Sequence, residues 1–203
     1  MTTQQAVYPD LEGKTVLVSG GASGIGEFLV RAFAAQGARV GFVDRAQSQG
    51  ERLAALLHSQ GYKVEFVCCD ITDEIAYKAA IERFEHSLGP ITVLVNNAAN
   101  DVRHTLEEVD SAMFDRLIAV NLKHAFFAAK AVVPMMKRAG GGAIINLGSV
   151  GWMMASAGYP VYAASKAAAH GMTRALAREL GPNHIRVNTP VSYTHLTLPT
   201  SDL

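Results

Sequence analysis

The sequence SGGASGIG, Ser19 to Gly26, follows a short β-branched run and precedes a segment with helical periodicity. Glycines at positions 20, 24 and 26 permit a tight turn and a close approach of a ligand to the backbone. A helix that begins directly after the turn offers free N–H groups and a positive dipole end to a phosphate. A glycine-rich turn alone is also typical of an ordinary loop, but the strand before it and the helix after it favour dinucleotide binding. The residues of the turn predicted to contact a cofactor are Ser19, Gly20, Ser23, Gly24, Ile25 and Gly26.

Short apolar runs and helical segments alternate along the rest of the chain. Strands are predicted at 14–19, 39–43, 63–68, 91–96, 143–147 and 184–188, and helices at 24–36, 47–60, 73–87, 111–138 and 161–180. Strands that are apolar on both faces and alternate with helices indicate an α/β fold, a doubly wound parallel sheet of the Rossmann type. Glycines stand where each helix should end in a left-handed residue, at Gly37, Gly61, Gly89, Gly140 and Gly181.

Composition narrows the class of protein. The chain has 203 residues, with 18 Lys plus Arg against 18 Asp plus Glu, and its charges are scattered. A neutral surface disfavours nucleic acid and anionic membranes as partners. No apolar run approaches the length of a membrane span, and the first ten residues lack the features of a signal peptide. We therefore expect a cytoplasmic protein of one domain.

Cysteines and histidines give no sign of a disulfide framework or a metal centre. Cys68 and Cys69 are neighbours in an apolar run, which predicts buried thiols in a reducing compartment. Of the seven histidines, four have no partner at metal-ligand spacing. These are His58, His86, His170 and His184. We expect no metal site.

Acidic residues at the ends of the second and third strands suggest how an adenosine would be held. Asp44 can accept hydrogen bonds from a ribose diol and would repel a 2′-phosphate, which favours NAD over NADP. Arg45 leaves an alternative open, because it could pair with a phosphate. Asp70 either meets the adenine edge or caps the next helix.

The segment Asn96-Asn97-Ala98-Ala99 follows the fourth strand. It places amides and small residues beside the cofactor, and it could equally stabilise the sheet. Asn97 and Ala98, together with Ile71 after the third strand, are further predicted cofactor contacts, and so are Tyr162 and Lys166 of the last helix.

Tyr162 and Lys166 stand four residues apart, on one face of the last predicted helix. A nearby cation favours the phenolate, so Tyr162 could act as a general base near neutral pH, although a surface pair is the alternative. Ser149 follows the fifth strand and could bind the reacting oxygen. Tyr159 has Ala163 at the same spacing and is not a candidate. Asn121 lies in the middle of a predicted helix, where asparagine is a mediocre helix former and therefore needs a reason.

Taken together, SGGASGIG, Asn96-Asn97-Ala98-Ala99, Asn121, Ser149 and Tyr162-x-x-x-Lys166 resemble the short-chain dehydrogenase/reductase superfamily over residues 11–188. The resemblance implies that Tyr162 is the base and that Ser149 stabilises the substrate oxygen. It further implies that Lys166 lowers the tyrosine pKa and binds the nicotinamide ribose, while Asn121 holds a proton-relay water. The helices at 111–138 and 161–180 match those that make tetramer contacts in the family, so we expect a homo-oligomer.

A finer resemblance concerns the substrate. Residues 96–104 and 121–124, with Ser149-Val150-Gly151-Trp152, are similar to bacterial NAD-dependent aldose 1-dehydrogenases acting on D-xylose, D-galactose and similar sugars. The loop after the fourth strand carries a polar cluster of Asn100, Asp101, Arg103 and His104, where open α/β sheets bind ligands. Asn100, His104 and Ser149 are therefore predicted to contact a sugar and Trp152 to stack on it. The alternative is that the loop residues cap a helix and that Trp152 packs at a subunit contact.

The expected reaction is oxidation of the C1 hydroxyl of an aldose, or of another secondary alcohol, by NAD. The nearest alternative is a generic carbonyl or 3-oxoacyl-type reductase. A non-catalytic NAD-binding protein is a third possibility, which the presence of Asn121, Ser149, Tyr162 and Lys166 together argues against.

The C-terminus departs from the family. A complete relative would continue with a Pro-Gly loop, a substrate-covering segment and a last strand, so we expect a catalytic domain at 1–190 that is truncated before its last strand. Residues 191–200 back-translate in one frame to a sequence that resembles a transposon-derived sequencing adapter. We therefore expect 191–203 to be a loosely packed, non-native tail, with a divergent natural terminus as the alternative, and the 203-residue chain to be inactive.

Overall fold

A computed structural model describes residues 6–192 of the chain. The strands within this range are β1 (Thr15–Ser19), β2 (Arg39–Asp44), β3 (Val64–Cys68), β4 (Ile91–Asn96), β5 (Gly142–Asn146), β6 (Gly148–Ser149), β7 (Ile185–Asn188) and β8 (Val191–Ser192). Six of them form one parallel sheet in the order β3-β2-β1-β4-β5-β7, and β6 pairs in parallel with β8. The predicted doubly wound sheet is confirmed. The strand order reverses between β1 and β4, which is where such sheets bind ligands.

The helices are α1 (Gly24–Ala35), α2 (Gln47–Ser59), α3 (Glu74–Leu88), α4 (Ser111–Ile118), α5 (His124–Arg138) and α6 (Pro160–Leu180). Short 3₁₀ turns occur at Pro9–Leu11 and Gly181–Asn183. The helix predicted at 111–138 is interrupted by a π-helical turn, Ala119–Lys123, which joins α4 to α5. The other predicted helices and the predicted strands agree with the structure to within one residue at each end. The two-residue strands β6 and β8 were not predicted.

Apolar side chains from the strands bury both faces of the sheet. In β1, Val16 and Val18 pack with Val30 of α1 on one face, while Leu17 packs with Ala128 of α5 on the other. All three β1 residues are fully buried, as expected for a parallel strand covered by helices on both sides.

Among the described residues, one stretch, Ser111–Arg138, is long and apolar enough to cross a membrane by length and composition alone. The prediction that no apolar run approaches the length of a membrane span was therefore wrong. It is nevertheless a core helix. Ala128, Val132 and Met136 on α5 pack against the sheet and are completely buried.

Two local predictions were also wrong. Cys69 is buried, but Cys68 is exposed at the end of the edge strand β3. Gly181 does not take a left-handed conformation, because the chain continues into a 3₁₀ turn and His184 has the positive φ of 58°. Pro182 follows Gly181 and has no N–H, so the hydrogen bond that usually closes a helix after a left-handed glycine cannot form.

The start of the predicted loose tail is ordered. Val191 and Ser192 form β8, and Gly148 N–H donates to the Pro190 carbonyl at 2.8 Å beside this pair. Backbone pairing requires no particular side chain, so it is compatible with any origin of residue 191. The rest of the predicted tail, 193–203, lies outside the described residues, and the proposed boundary at 190 stays a prediction.

Candidate active site

The glycine-rich turn between β1 and α1 leaves the backbone bare at the carboxyl edge of the sheet. A Cβ on Gly26 would lie 1.8 Å from the Gly20 carbonyl oxygen, and a Cβ on Gly20 would lie 2.9 Å from Ala98 Cα. Gly20 has a φ of +67°, in the left-handed region that favours glycine. The turn therefore packs so closely on α1 and on the loop after β4 that only glycine fits at these two positions.

A cleft of about 1300 Å³ opens over this turn, which is large enough for a dinucleotide. Most of the predicted cofactor residues line it. They are Gly20, Ser23, Gly24, Ile25, Gly26, Asp44, Asp70, Ile71, Asn97 and Ala98. The glycine cradle and the size of the cleft fit a nicotinamide dinucleotide, with the turn and the start of α1 facing its pyrophosphate.

Three predicted cofactor residues, Ser19, Tyr162 and Lys166, do not line the cleft. Ser19 is completely buried. Its hydroxyl oxygen accepts hydrogen bonds from the backbone N–H groups of Asn97 and Ala98, both at 3.1 Å. The Asn97 amide donates in turn to the carbonyl oxygens of Ser19 at 2.9 Å and Gly20 at 3.0 Å. The direct contact predicted for Ser19 does not fit this placement, since its hydroxyl positions the turn instead.

Asp44 ends β2 at the rim of the cleft. Its carboxylate accepts hydrogen bonds from the backbone N–H groups of Ala22 at 3.1 Å and Ala46 at 3.0 Å. These bonds hold the carboxylate beside the glycine turn, where a ribose diol would reach it.

Arg45 points across the cleft to Asp70, with 3.6 Å between its Nη1 and the carboxylate. Asp70 also accepts hydrogen bonds from the N–H and hydroxyl of Thr72. Partial burial would raise the pKa of Asp70, but the Thr72 bonds and the Arg45 charge outweigh it and lower that pKa. The capping alternative for Asp70 was wrong, because Asp73 caps α3 by accepting from Ile75 and Ala76.

Ser149 and Tyr162 come together beside the cleft. Ser149 lies on β6, and its hydroxyl oxygen accepts a hydrogen bond from Gly151 N–H at 3.1 Å. Burial raises the pKa of Tyr162, the Ser149 hydroxyl beside it lowers that pKa, and the charge of Asp101 raises it further. Ser149 and Tyr162 do not line the cleft themselves, but Asp101, whose charge acts on Tyr162, does.

Lys166 lies on the same face of α6 as Tyr162, with 5.6 Å between its Nζ and the centre of the tyrosine ring. Nζ donates to the Leu147 carbonyl at 2.6 Å, and burial lowers the pKa of Lys166 to about 8. The lowering of the Tyr162 pKa by Lys166 stays a prediction, and burial, the largest influence on that pKa in the chain alone, raises it. A raised pKa favours the protonated phenol in the chain alone.

Asn121 lies in the π-helical turn and is buried. Its side-chain oxygen accepts from Asn100 N–H at 2.8 Å, and its side-chain nitrogen donates to the Asn100 carbonyl at 2.9 Å. This pair of bonds ties the loop after β4 to the helix. It supplies the reason for an asparagine in the middle of a helix.

The residues predicted to bind a sugar are not gathered in one place. Asn100 is exposed and lines the cleft, and its side-chain oxygen accepts from Val102 N–H at 3.0 Å. His104 is buried and does not line the cleft. Trp152 packs against His170 of α6, with 6.0 Å between the ring centres, and does not line the cleft either. Their direct sugar contacts stay predictions, and this arrangement does not favour them.

His124, the first residue of α5, was given no role by the sequence analysis. It is 4% exposed, and neither ring nitrogen makes a hydrogen bond. Burial and then the charge of Lys166 lower the pKa of His124 to about 4, although the nearby carbonyls of Val120 and Ala119 act in the opposite direction. No sequence signal marks such a residue, since a histidine at a helical position does not reveal which buried charge it will face.

Within residues 6–192, no group of three or more His, Cys, Asp or Glu side chains could hold a metal ion. The arrangement around Ser149, Tyr162 and Lys166 offers a hydroxyl donor, a phenol and an ammonium close to one another. Such a set can exchange a proton with an alcohol oxygen.

Comparison with known proteins gives one family. A profile described as short chain dehydrogenase matches residues 14–197. D-xylose 1-dehydrogenase of Caulobacter vibrioides is 46% identical over 92% of the chain and 73% of its own length. A probable galactose dehydrogenase of Rhizobium meliloti is 44% identical over 93% of the chain and 74% of its own length. A crystal structure of a putative short-chain alcohol dehydrogenase from Sinorhizobium meliloti has a TM-score of 0.86 and 34% identity, covering 94% of the chain and 76% of that structure.

Proposed function

The chain belongs to the short-chain dehydrogenase family, and on that premise we propose that it oxidises the C1 hydroxyl of an aldose to a lactone with NAD as the hydride acceptor. The observation that carries this proposal is the grouping of Ser149 and Lys166 around Tyr162, whose pKa is also affected by Asp101 of the glycine-lined cleft. The names of the two sugar dehydrogenases support the substrate class.

The chain's own residues handle the substrate oxygen and its proton. Ser149 donates a hydrogen bond to the reacting oxygen, and Tyr162 receives the hydroxyl proton while the C1–H bond breaks. When bound, the nicotinamide accepts the hydride and its oxidised ring adds a positive charge to the site. Burial raises the pKa of Tyr162 in the chain alone, and the Lys166 ammonium on the same face of α6 would favour the phenolate.

The cofactor form follows from Asp44. A 2′-phosphate would lie against its carboxylate, and the neighbouring cation, Arg45, faces Asp70 at 3.6 Å. This arrangement supports NAD as the cofactor.

The test is formation of reduced cofactor on addition of single substrates to the protein expressed from its complete natural reading frame. We expect D-xylose or D-galactose with NAD to be turned over faster than simple secondary alcohols or steroids. Good turnover of another alcohol without turnover of any aldose would replace the sugar by a generic alcohol or ketone. Tight NAD binding without any turnover would instead indicate a non-catalytic NAD-binding protein.

A further inference from the structure

The helix that carries Tyr162 and Lys166 begins without a cap of its own. The N-cap residue of α6 is Tyr159, whose side chain makes no capping hydrogen bond, and Pro160 follows at the first helical position. Proline has no N–H, so Val161 supplies the first N–H group of the helix that needs a partner. A buried helix start of this kind requires an acceptor from elsewhere in the chain.

His104 provides that acceptor from the loop after β4. Val161 N–H donates to His104 Nε2 at 3.4 Å, and His104 Nδ1 lies 2.8 Å from the Val102 carbonyl. A carbonyl can only accept and a backbone N–H can only donate, so the proton must be on Nδ1 and the lone pair on Nε2. The His104 backbone N–H also donates to the Gly158 carbonyl at 2.9 Å.

Arg103 holds the same helix start from the other side. Its Nη1 donates to the Ala157 carbonyl at 3.2 Å, and its guanidinium lies 4.1 Å from the centre of the Tyr159 ring. The Tyr159 ring packs edge-to-face on Tyr162, with 5.3 Å between ring centres. If Arg103 moved, the Tyr159 ring in contact with it would move too, and this would displace Tyr162, the proposed base.

The loop that carries these two residues also holds the cofactor turn and the π-helical segment. Asn97 donates to the carbonyls of Ser19 and Gly20, and Asn100 exchanges two hydrogen bonds with Asn121. One short segment thus bonds to the parts of the site that face the cofactor and to the helix that carries the base.

We propose that Arg103 and His104, which we call the α6 clamp, are positioning residues that fix the start of α6 and thereby the Tyr162 hydroxyl relative to Ser149. His104 then acts on the reaction through the helix and not by touching a sugar. This inference rests on the proposed function, but its central contact, Val161 N–H to His104, exists without any substrate.

Two conservative variants separate the bonds of His104. His104→Gln places an amide oxygen near the position of Nε2 and can still accept from Val161 N–H. His104→Asn places its amide near Nδ1, so it can donate to the Val102 carbonyl but cannot reach Val161. We expect His104→Asn to lower kcat by about tenfold to a hundredfold, the loss typical of a misplaced catalytic group, with the KM for NAD unchanged. His104→Gln should restore most of kcat.

Hydrogen exchange gives a readout that needs no activity. The Val161 amide should exchange with deuterium faster in His104→Asn than in the wild-type chain, and His104→Gln should return it toward the wild-type rate. Equal exchange of Val161 and equal kcat in all three proteins would overturn the proposal. If the wild type expressed from its complete natural reading frame oxidises no alcohol but the exchange pattern holds, the clamp stands and the proposed function fails.

Arg103→Leu provides a second test in case the buried histidine cannot be replaced without unfolding. Arg103 is exposed, so its loss should leave the fold and the affinity for NAD intact. We expect kcat to fall with an unchanged KM for NAD, and Arg103→Lys to rescue it only in part because a lysine lacks the planar group over Tyr159. An unchanged kcat in Arg103→Leu would exclude Arg103 from the α6 clamp.

Discussion

Replacing His124 by leucine should make the protein more resistant to acid. His124 has no hydrogen-bond partner and a pKa near 4 in the folded chain, against 6.5 for an ordinary histidine. The unfolded chain therefore binds the proton more readily, so the stability that neutral His124 allows is present above pH 6.5 and lost as the pH falls toward 4. The difference between 6.5 and about 4 corresponds to about 3 kcal/mol of unfolding free energy, at ~1.36 kcal/mol for each pH unit.

The assay is urea unfolding of the wild type and of His124→Leu across that pH range. Other groups titrate there too, so the quantity of interest is the difference between the two proteins. The variant should lose less unfolding free energy on acidification, by up to the amount given above, and it should lose no stability at neutral pH. His86→Leu, the same change at an exposed histidine, is the matched control. If the two curves stay parallel, or if a magnetic resonance titration of His124 gives a pKa at or above 6.5, the reasoning is refuted.

Three further predictions concern the site. Tyr162→Phe should lower kcat by about 10²–10⁴-fold without weakening NAD binding, whereas Tyr159→Phe, which keeps the aromatic ring, should stay active. An active Tyr162→Phe together with an inactive Tyr159→Phe would refute the assignment of Tyr162 as the base. Asp44→Ala should reduce the preference for NAD over NADP, measured as the ratio of the two kcat/KM values, by at least about tenfold, or ~1.4 kcal/mol. Comparable use of both cofactors by the wild type would contradict the role of Asp44. Gly26→Ala should weaken NAD binding and lower the unfolding free energy by about 1–3 kcal/mol, because its Cβ would lie 1.8 Å from the Gly20 carbonyl oxygen. If calorimetry gave the wild-type affinity for NAD, the conclusion that only glycine fits at this position would be contradicted.

The fold could be predicted from the sequence because the apolar strands and the glycine turn follow directly from burial and close backbone packing. A strand such as β1 is apolar along its whole length, since helices cover both of its faces, and the turn after it needs glycine wherever another backbone comes close. The local features that were not predicted depend on single residues. Pro182 prevents the expected end after Gly181, and Asn121 accompanies a π-helical turn that helical periodicity does not reveal.

The site was predictable in its residues but less so in their contacts. Tyr162, Ser149 and Lys166 could be found from their spacing, but the effect of Lys166 on the tyrosine depends on a distance of 5.6 Å and on burial. The polar loop was expected to face a substrate, and His104 instead bonds to Val161, 57 residues later in the chain. Bonds between distant residues leave no periodic trace in a sequence, so this contact could be found only in the structure.

The pairing of β6 with β8 has a consequence for how the site is assembled. The glycine turn, Asp44 and the loop after β4 come from the first half of the chain, so the cofactor end can form while synthesis continues. Ser149 lies on β6, whose partner strand is made only after α6 and β7 are complete. Because long-range pairs are slow to form and domains can begin to fold during synthesis, the Ser149 end should mature last. A nascent chain would then acquire the ability to hold a dinucleotide before it acquires the ability to react with it.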